Sequence, residues 1–235
     1  MKTMRCFLAF KLSLETAENI AGAQQSLKAR CASAGMSVRW VPPPNIHMTV
    51  QFLGEITDPM ATALKDMLEP VVFGFESFDL TAMGMGAFPD VSSPRVIWAG
   101  LGPGADTLTT FHAAIRSRLE TAGFNFDKKP FAAHITVGRV KSSPPGALTA
   151  CFGDEASRSF GTTQVRQLHC FQSTLSRTGA EYNTLWVLPL QKAAPKSLRQ
   201  PAPPEEVPPP PPATPEPENG PGVLEPKPIT EKGDN

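Results

Sequence analysis

The chain has 235 residues, with 22 Lys and Arg against 22 Asp and Glu, and only 40% of it is hydrophobic. That balance excludes a surface that coats nucleic acid along its length, so any such contact must be local, at an end or a single nucleotide. No stretch approaches the roughly 18 apolar residues that span a membrane, and the run Cys6 to Phe10 is stopped by Lys11, too short for a signal peptide, so the expected setting is cytoplasmic.

Cys6 to Phe10 reads as a short buried strand. Ser13 opens a helix in which Glu15 and Glu18 come early and Lys28 and Arg30 late, the order the helix dipole favours. Leu14, Ile20, Ala23 and Leu27 give its apolar stripe, and Gly35 ends it. Val38 to Val41 is a brief extended piece. Pro42-Pro43-Pro44 forbids helix and delivers the chain into a strand from Asn45 to Gly54. Asp58-Pro59 signals a second helix with Met60, Leu64, Met67 and Leu68 on its apolar face. Phe75 to Met85 alternates as a strand.

The order then restarts. Arg95 to Gly100 is a strand, and Gly100, Gly102 and Gly104 form a turn. Asp106 caps a helix that turns Leu108, Phe111, Ile115 and Leu119 inward and stops at Gly123. A strand around His134 follows, then a loop at Pro144-Pro145, a weak helix or irregular segment around Leu148 to Phe152, one long strand from Gln164 to Leu175, and a last strand from Leu185 to Leu190. This repetition implies an internal duplication with two lobes facing each other.

From Gln191 on, no apolar period remains, and the segment holds 14 of the chain's 26 prolines. Such a stretch cannot bury enough surface to offset its ordering entropy. The expected organisation is one folded domain of two lobes over 1–190 and a disordered, partly polyproline II tail over 191–235. Cys6, Cys31, Cys151 and Cys170 show neither Cys-x-x-Cys nor zinc spacing and read as buried, reduced thiols.

The chemistry concentrates in two stretches, Asn45-Ile46-His47-Met48-Thr49-Val50 and Phe131-Ala132-Ala133-His134-Ile135-Thr136-Val137. In a strand, side chains alternate between faces, so His47, Thr49 and Gln51 share one face and Ile46, Met48, Val50 and Phe52 the other; His134 and Thr136 pair in the same way. A structural histidine has no reason to recur with its threonine at equivalent places in a repeat. Two imidazoles suit proton transfer at neutral pH, and two hydroxyls can donate to oxygens on which charge builds, with nothing in the set that demands a metal or another cofactor. Strict alternation puts Arg139 on the face away from His134 unless a bulge near Gly138 swings it back. His112 reads as a partly exposed helix residue and His169 as structural. Gly100-Leu101-Gly102-Pro103-Gly104 lacks the Gly-Lys-Ser/Thr of a phosphate loop and is a turn.

These residues resemble the 2H phosphoesterase superfamily, and within it the RNA 2′,3′-cyclic phosphodiesterases, also called 2′-5′ RNA ligases. The resemblance covers about residues 4–190. It rests on Arg5 to Phe10, the two His-x-Thr stretches, Phe52-Leu53-Gly54-Glu55, Gly86-Ala87-Phe88-Pro89, Pro94 to Gly100, Arg139, Phe171 to Leu175 and Gly179 to Tyr182. One departure is Ala133, where the family usually has proline. The resemblance implies an α+β fold of two pseudo-symmetric lobes of antiparallel sheet with outer helices around a central cleft. It implies hydrolysis of RNA 2′,3′-cyclic phosphate ends to a 2′-phosphomonoester, with His47 the proton donor, His134 the acceptor, and Thr49, Thr136 and Arg139 on phosphate. It implies RNA ends or small cyclic nucleotides as partners of a monomer. The alternatives are 2′-5′ ligation of tRNA halves and a non-catalytic RNA-end binder. Phe52, Phe131 and Trp98 are the candidates for stacking on a base.

Overall fold

The computed structural model describes residues 2–126, 130–176 and 179–193. The tail expected from 191 therefore lies outside the described residues beyond Ala193.

Among the described residues, nine strands form two antiparallel sheets. The strands are β1 (Thr3–Lys11), β2 (Ser37–Trp40), β3 (His47–Thr57), β4 (Phe78–Phe88), β5 (Val96–Leu101), β6 (Ile135–Ser142), β7 (Ser159–Val165), β8 (Gln167–Leu175) and β9 (Ala180–Pro189). The helices are α1 (Leu14–Ser33), α2 (Asp58–Phe73), α3 (Ala105–Thr121) and the short α4 (Ala147–Phe152). The first sheet has the order β3-β1-β8-β9 and the second β2-β6-β5-β4-β7. Matching β3 to β6, β1 to β5, β8 to β4 and β9 to β7 superposes the two orders, with β2 added at one edge. The expected pseudo-symmetric pair of antiparallel sheets with helices is thus present. The lobes are not the two halves of the sequence, however, since the first sheet takes β8 and β9 from the C-terminal end and the second takes β2 from the N-terminal part.

Local chemistry sets the element ends. Ser13 caps α1, its Oγ accepting the Thr16 N–H at 3.2 Å, worth about 1 kcal/mol. Thr57, not Asp58, caps α2. Asp106 does not cap α3: the cap is Gly104 at φ +92°, and Asp106 stands in the first turn. Only glycine fits at 104, because a Cβ there would lie 2.1 Å from the Asp79 carbonyl oxygen. The strand expected at Phe75 begins at Phe78 and runs on to Phe88. The single strand expected from Gln164 to Leu175 is two, broken at Arg166: β7 pairs with β4 and β8 with β1, so the chain changes sheets there.

Each sheet buries one face against helices. Leu8, Phe10, Met48, Ile97, Ile135 and Val137 point into one continuous core with Ile20, Leu64, Phe111 and Ile115 of the helices. The opposite face of the first sheet carries a small second cluster, Phe7, Ala9 and Phe171, with Tyr182 packed on it. His169, opposite Ala9, is only 8% exposed; its ring stacks on Phe171 at 5.5 Å, and its Nδ1 has no hydrogen-bond partner among the described residues.

Burial, helped by the Lys11 charge, pushes the His169 pKa down to about 4. The ring is therefore neutral in the fold, while the unfolded chain takes up a proton near pH 6.5. The stabilisation is complete above that value and is lost as pH falls toward 4, by up to about 3 kcal/mol. Urea unfolding at pH 7 and pH 4.5 should show that loss, and His169→Leu should make it smaller.

A second expectation concerns the end of the domain. Gln191 N–H donates to Phe75 O, Ser77 N–H to Gln191 O, and Ala193 N–H to Ser77 Oγ. A chain ended after Leu190 should melt a few degrees below one ended after Ala193.

Candidate active site

Both motif strands break alternation at the same place. In β3, Thr49 pairs with Ala9 and Gln51 with Leu8, so Val50 is an extra residue. In β6, Thr136 pairs with Trp98 and Gly138 with Ile97, so Val137 is the extra one. A one-residue bulge reverses the side-chain parity beyond it. Gln51 is thereby turned away from Thr49 toward the helices, and Phe52 is turned into the cleft, the opposite of the alternating expectation. Arg139 is brought onto the face of Thr136. Phe52 and Arg139 occupy equivalent positions, five residues after their histidines. The bulge at Val137 is held by its carbonyl, which accepts from Val41 N–H at 3.0 Å and from the buried Gln24 Nε2 at 2.8 Å.

The two strands lie alongside each other at the seam of the sheets. His47, Thr49, Phe52, Thr136 and Arg139 line one cavity of about 460 Å³. His134 is not part of its wall. It stands one residue before β6, half-buried, with Phe88 edge-on at 4.9 Å.

Each histidine is fixed by the same local bond. His47 Nδ1 lies 2.7 Å from Asn45 O, and His134 Nδ1 lies 2.7 Å from Ala132 O. A carbonyl can only accept, so Nδ1 carries the proton in both rings and Nε2 is left as the working nitrogen. His47 Nε2 is 3.0 Å from Thr49 Oγ1. Asn45 is itself pinned by its Nδ2–H to Ala180 O at 2.6 Å. The bond to Ala132 forms with Ala133 in the place of the family's proline. Burial lowers both pKa values from the ordinary 6.5, opposed in each case by the carbonyl bond; at His134 the Arg139 charge lowers it further. Phe7 lies 4.9 Å from the His47 ring, and Tyr182 meets that ring edge-on at 5.3 Å. Among the described residues no three His, Cys, Asp or Glu side chains converge as metal ligands would.

The LigT-like phosphoesterase profile matches residues 11–98 and 101–182, one match for each His-x-Thr stretch. The chain belongs to the LigT-like phosphoesterase family. Curated relatives named RNA 2′,3′-cyclic phosphodiesterase include that of Thermotoga maritima, 36% identical over 78% of this chain and 94% of that one. That of Archaeoglobus fulgidus is 34% identical over 78% and 99%. The solved structure of Escherichia coli LigT in apo form is 26% identical, covers 82% of this chain and 100% of that one, and has a TM-score of 0.60. The LigT-like fold thus accounts for the described part of the chain.

Two expectations about neighbouring residues change. His112 is not partly exposed but 6% exposed. Its ring lies flat on Phe131 at 3.8 Å and 6°, and its Nε2 is 3.2 Å from Gln51 Oε1. It thereby ties α3 to β3, two residues past Thr49, and to the segment leading to His134. Phe131 is thus engaged by His112, and Trp98 packs on Phe88 at 5.4 Å and covers Gly86, where a Cβ would lie 2.3 Å from the indole. Phe52, 56% exposed, is the one of the three expected stacking rings that lines the cavity.

His112→Ala should cost about 2–3 kcal/mol, from the lost ring packing and the orphaned Gln51. His112→Phe keeps the stack and should cost about 1 kcal/mol. Denaturant melts of the two variants, beside the parent, check the order.

Proposed function

We propose that this LigT-like phosphoesterase hydrolyses the 2′,3′-cyclic phosphate at an RNA end to a 2′-phosphomonoester. The observation that carries the reading is the paired device: two His-x-Thr stretches on pseudo-symmetric strands, each ring held through Nδ1 with Nε2 left for proton transfer. The names of the Thermotoga and Archaeoglobus relatives support the substrate class.

In the reaction, neutral His134 takes a proton from water through Nε2 as the water oxygen bonds to phosphorus. The bond from phosphorus to O3′ breaks, and O3′ takes the proton that charged His47 carries on Nε2. The product has a 2′-phosphate and a free 3′-hydroxyl, and the two rings return to their starting states by exchange with solvent. Thr49 and Thr136 hold the non-bridging oxygens as negative charge builds. Arg139 adds positive charge beside Thr136. The His47–Thr49 contact in the free enzyme gives way to the substrate oxygens. Donor and acceptor lie in one chain, which supports a monomer as the working unit. The four cysteines are unpaired and buried, which fits a reducing, cytoplasmic setting. No helix among the described residues is long and apolar enough to cross a membrane.

Steady-state kinetics on nucleoside 2′,3′-cyclic phosphates, with 2′- and 3′-phosphate products resolved, test this. His47→Ala and His134→Ala should each lower turnover by roughly 10²–10⁴-fold with little change in melting temperature. The low-pH limb of kcat/KM reports protonation of the base, and the high-pH limb deprotonation of the acid. Both groups are pushed below 6.5, so the maximum should fall on the acid side of that value. Bound phosphate favours the charged rings, so the kcat profile should lie at higher pH than the kcat/KM profile. A folded alanine variant with near-full activity would overturn the mechanism.

A further inference from the structure

Among the described residues the cavity wall contains three arginines, Arg5, Arg39 and Arg139, and no aspartate or glutamate. The ion pairs found among the described residues involve Arg30, Arg116 and Arg158 instead. The three cavity arginines come from three strands in two sheets. Arg39 and Arg139 are direct cross-strand partners in β2 and β6, a like-charge pairing that opposes folding. Arg5 pairs across to Ser173, which pairs in turn with Tyr182. All three charges act on the Tyr182 phenol, pulling its pKa down against the larger upward push of burial. Arg39 also reaches over the cleft: a Cβ on Gly179 would stand 3.8 Å from its Nη2. Three cations therefore converge around the Tyr182 ring, and that ring stands edge-on to His47.

One reacting phosphate, with two threonines and two imidazoles on it, does not need three guanidinium groups. Among the described residues no carboxylate joins the three arginines in the cavity wall, although Glu55 is the cross-strand partner of Arg5. The equivalent positions five residues past each histidine divide the work, an exposed ring at Phe52 in one lobe and a cation at Arg139 in the other. A pseudo-symmetric scaffold thus offers an asymmetric site, with an exposed ring at one of the two equivalent positions and a cation at the other.

Resting on the hydrolytic reading above, we infer that Arg5 and Arg39, with Arg139 bordering them from the reacting phosphate, form a second anion subsite that binds the phosphodiester preceding the cyclic end. The substrate is then an oligonucleotide end, with its terminal base on Phe52 and its next phosphate among the arginines, and a mononucleotide cyclic phosphate is a truncated, poorer one. Guanidinium groups bind phosphate through paired N–H donors, so an uncharged linkage of the same shape loses the interaction.

The experiment compares three substrates on the full chain: adenosine 2′,3′-cyclic phosphate, the dinucleotide ApA ending in the same cyclic phosphate, and that dinucleotide with a methylphosphonate linkage. The dinucleotide should exceed the mononucleotide at least ~10-fold in kcat/KM, and the methylphosphonate should fall back toward the mononucleotide. Arg39→Gln should shrink the ratio of dinucleotide to mononucleotide toward one, and the advantage should weaken with added salt. Equal values for the charged and uncharged linkages, or a ratio near one in the parent, would overturn the subsite. If no cyclic end is opened at all, the hydrolytic reading fails instead. Calorimetric binding of the ApA 2′-phosphate against adenosine 2′-phosphate then decides the subsite on its own: ~10-fold tighter binding that Arg39→Gln removes supports it, and equal affinity overturns it.

Discussion

A single residue out of register in each motif strand decides what the cleft contains. Val50 and Val137 both sit in bulges immediately after their threonines. Before the bulge, β3 presents His47 and Thr49 to the cleft and β6 presents Thr136, with His134 one residue ahead of the strand. After it, the parity reverses, so that position five rather than position four past the histidine faces inward. Without the bulges, Gln51 and Gly138 would line the site, and Phe52 and Arg139 would be driven at the core. The buried valines anchor the kinks, and the Val137 carbonyl is satisfied by Val41 and Gln24, so the irregularity leaves no orphan acceptor there.

The second shared constraint is electrostatic. A histidine in a dry cleft tends to lose its proton, and burial lowers both rings here. The carbonyls of Asn45 and Ala132 work against this by accepting from Nδ1, which favours a ring protonated at both nitrogens as well as fixing the neutral tautomer. Burial and carbonyl together keep each ring able to exist in either state, which a donor and acceptor pair requires. The environments differ in what surrounds them. His47 has Phe7 and Tyr182 against its ring, whereas His134 has Phe88 and the charge of Arg139.

Period-two alternation was enough to read the His-x-Thr pairs, because each lies within three residues and ahead of any irregularity. It failed at Gln51 and Phe52, since a bulge leaves no mark in residue type. Arg139 was undecided for the same reason. The break at Arg166 was hidden because β7 and β8 are both strands and only their partners differ. His112 could have been found: it lies four residues after Leu108 and three before Ile115, on the very stripe assigned to the core. Arg39 and Tyr182 had no local signal. Their place in the cleft follows from β2 pairing with β6 and β9 with β8, contacts across about 100 residues and across one hairpin, respectively.

The interleaving of the sheets has a consequence for how such a molecule comes into being. β1 is the first strand made, yet it is a central strand, flanked by β3 on one side and β8 on the other. During synthesis its second edge stays open until Gln167 to Leu175 has emerged, so the first lobe cannot be completed before most of the second exists. The second lobe is completed only just before, since its last strand, β7, ends at Val165 and β8 begins at Gln167. The lobes are therefore related by symmetry but not by birth order. A cut between the two repeated stretches would therefore part strands that belong to one sheet.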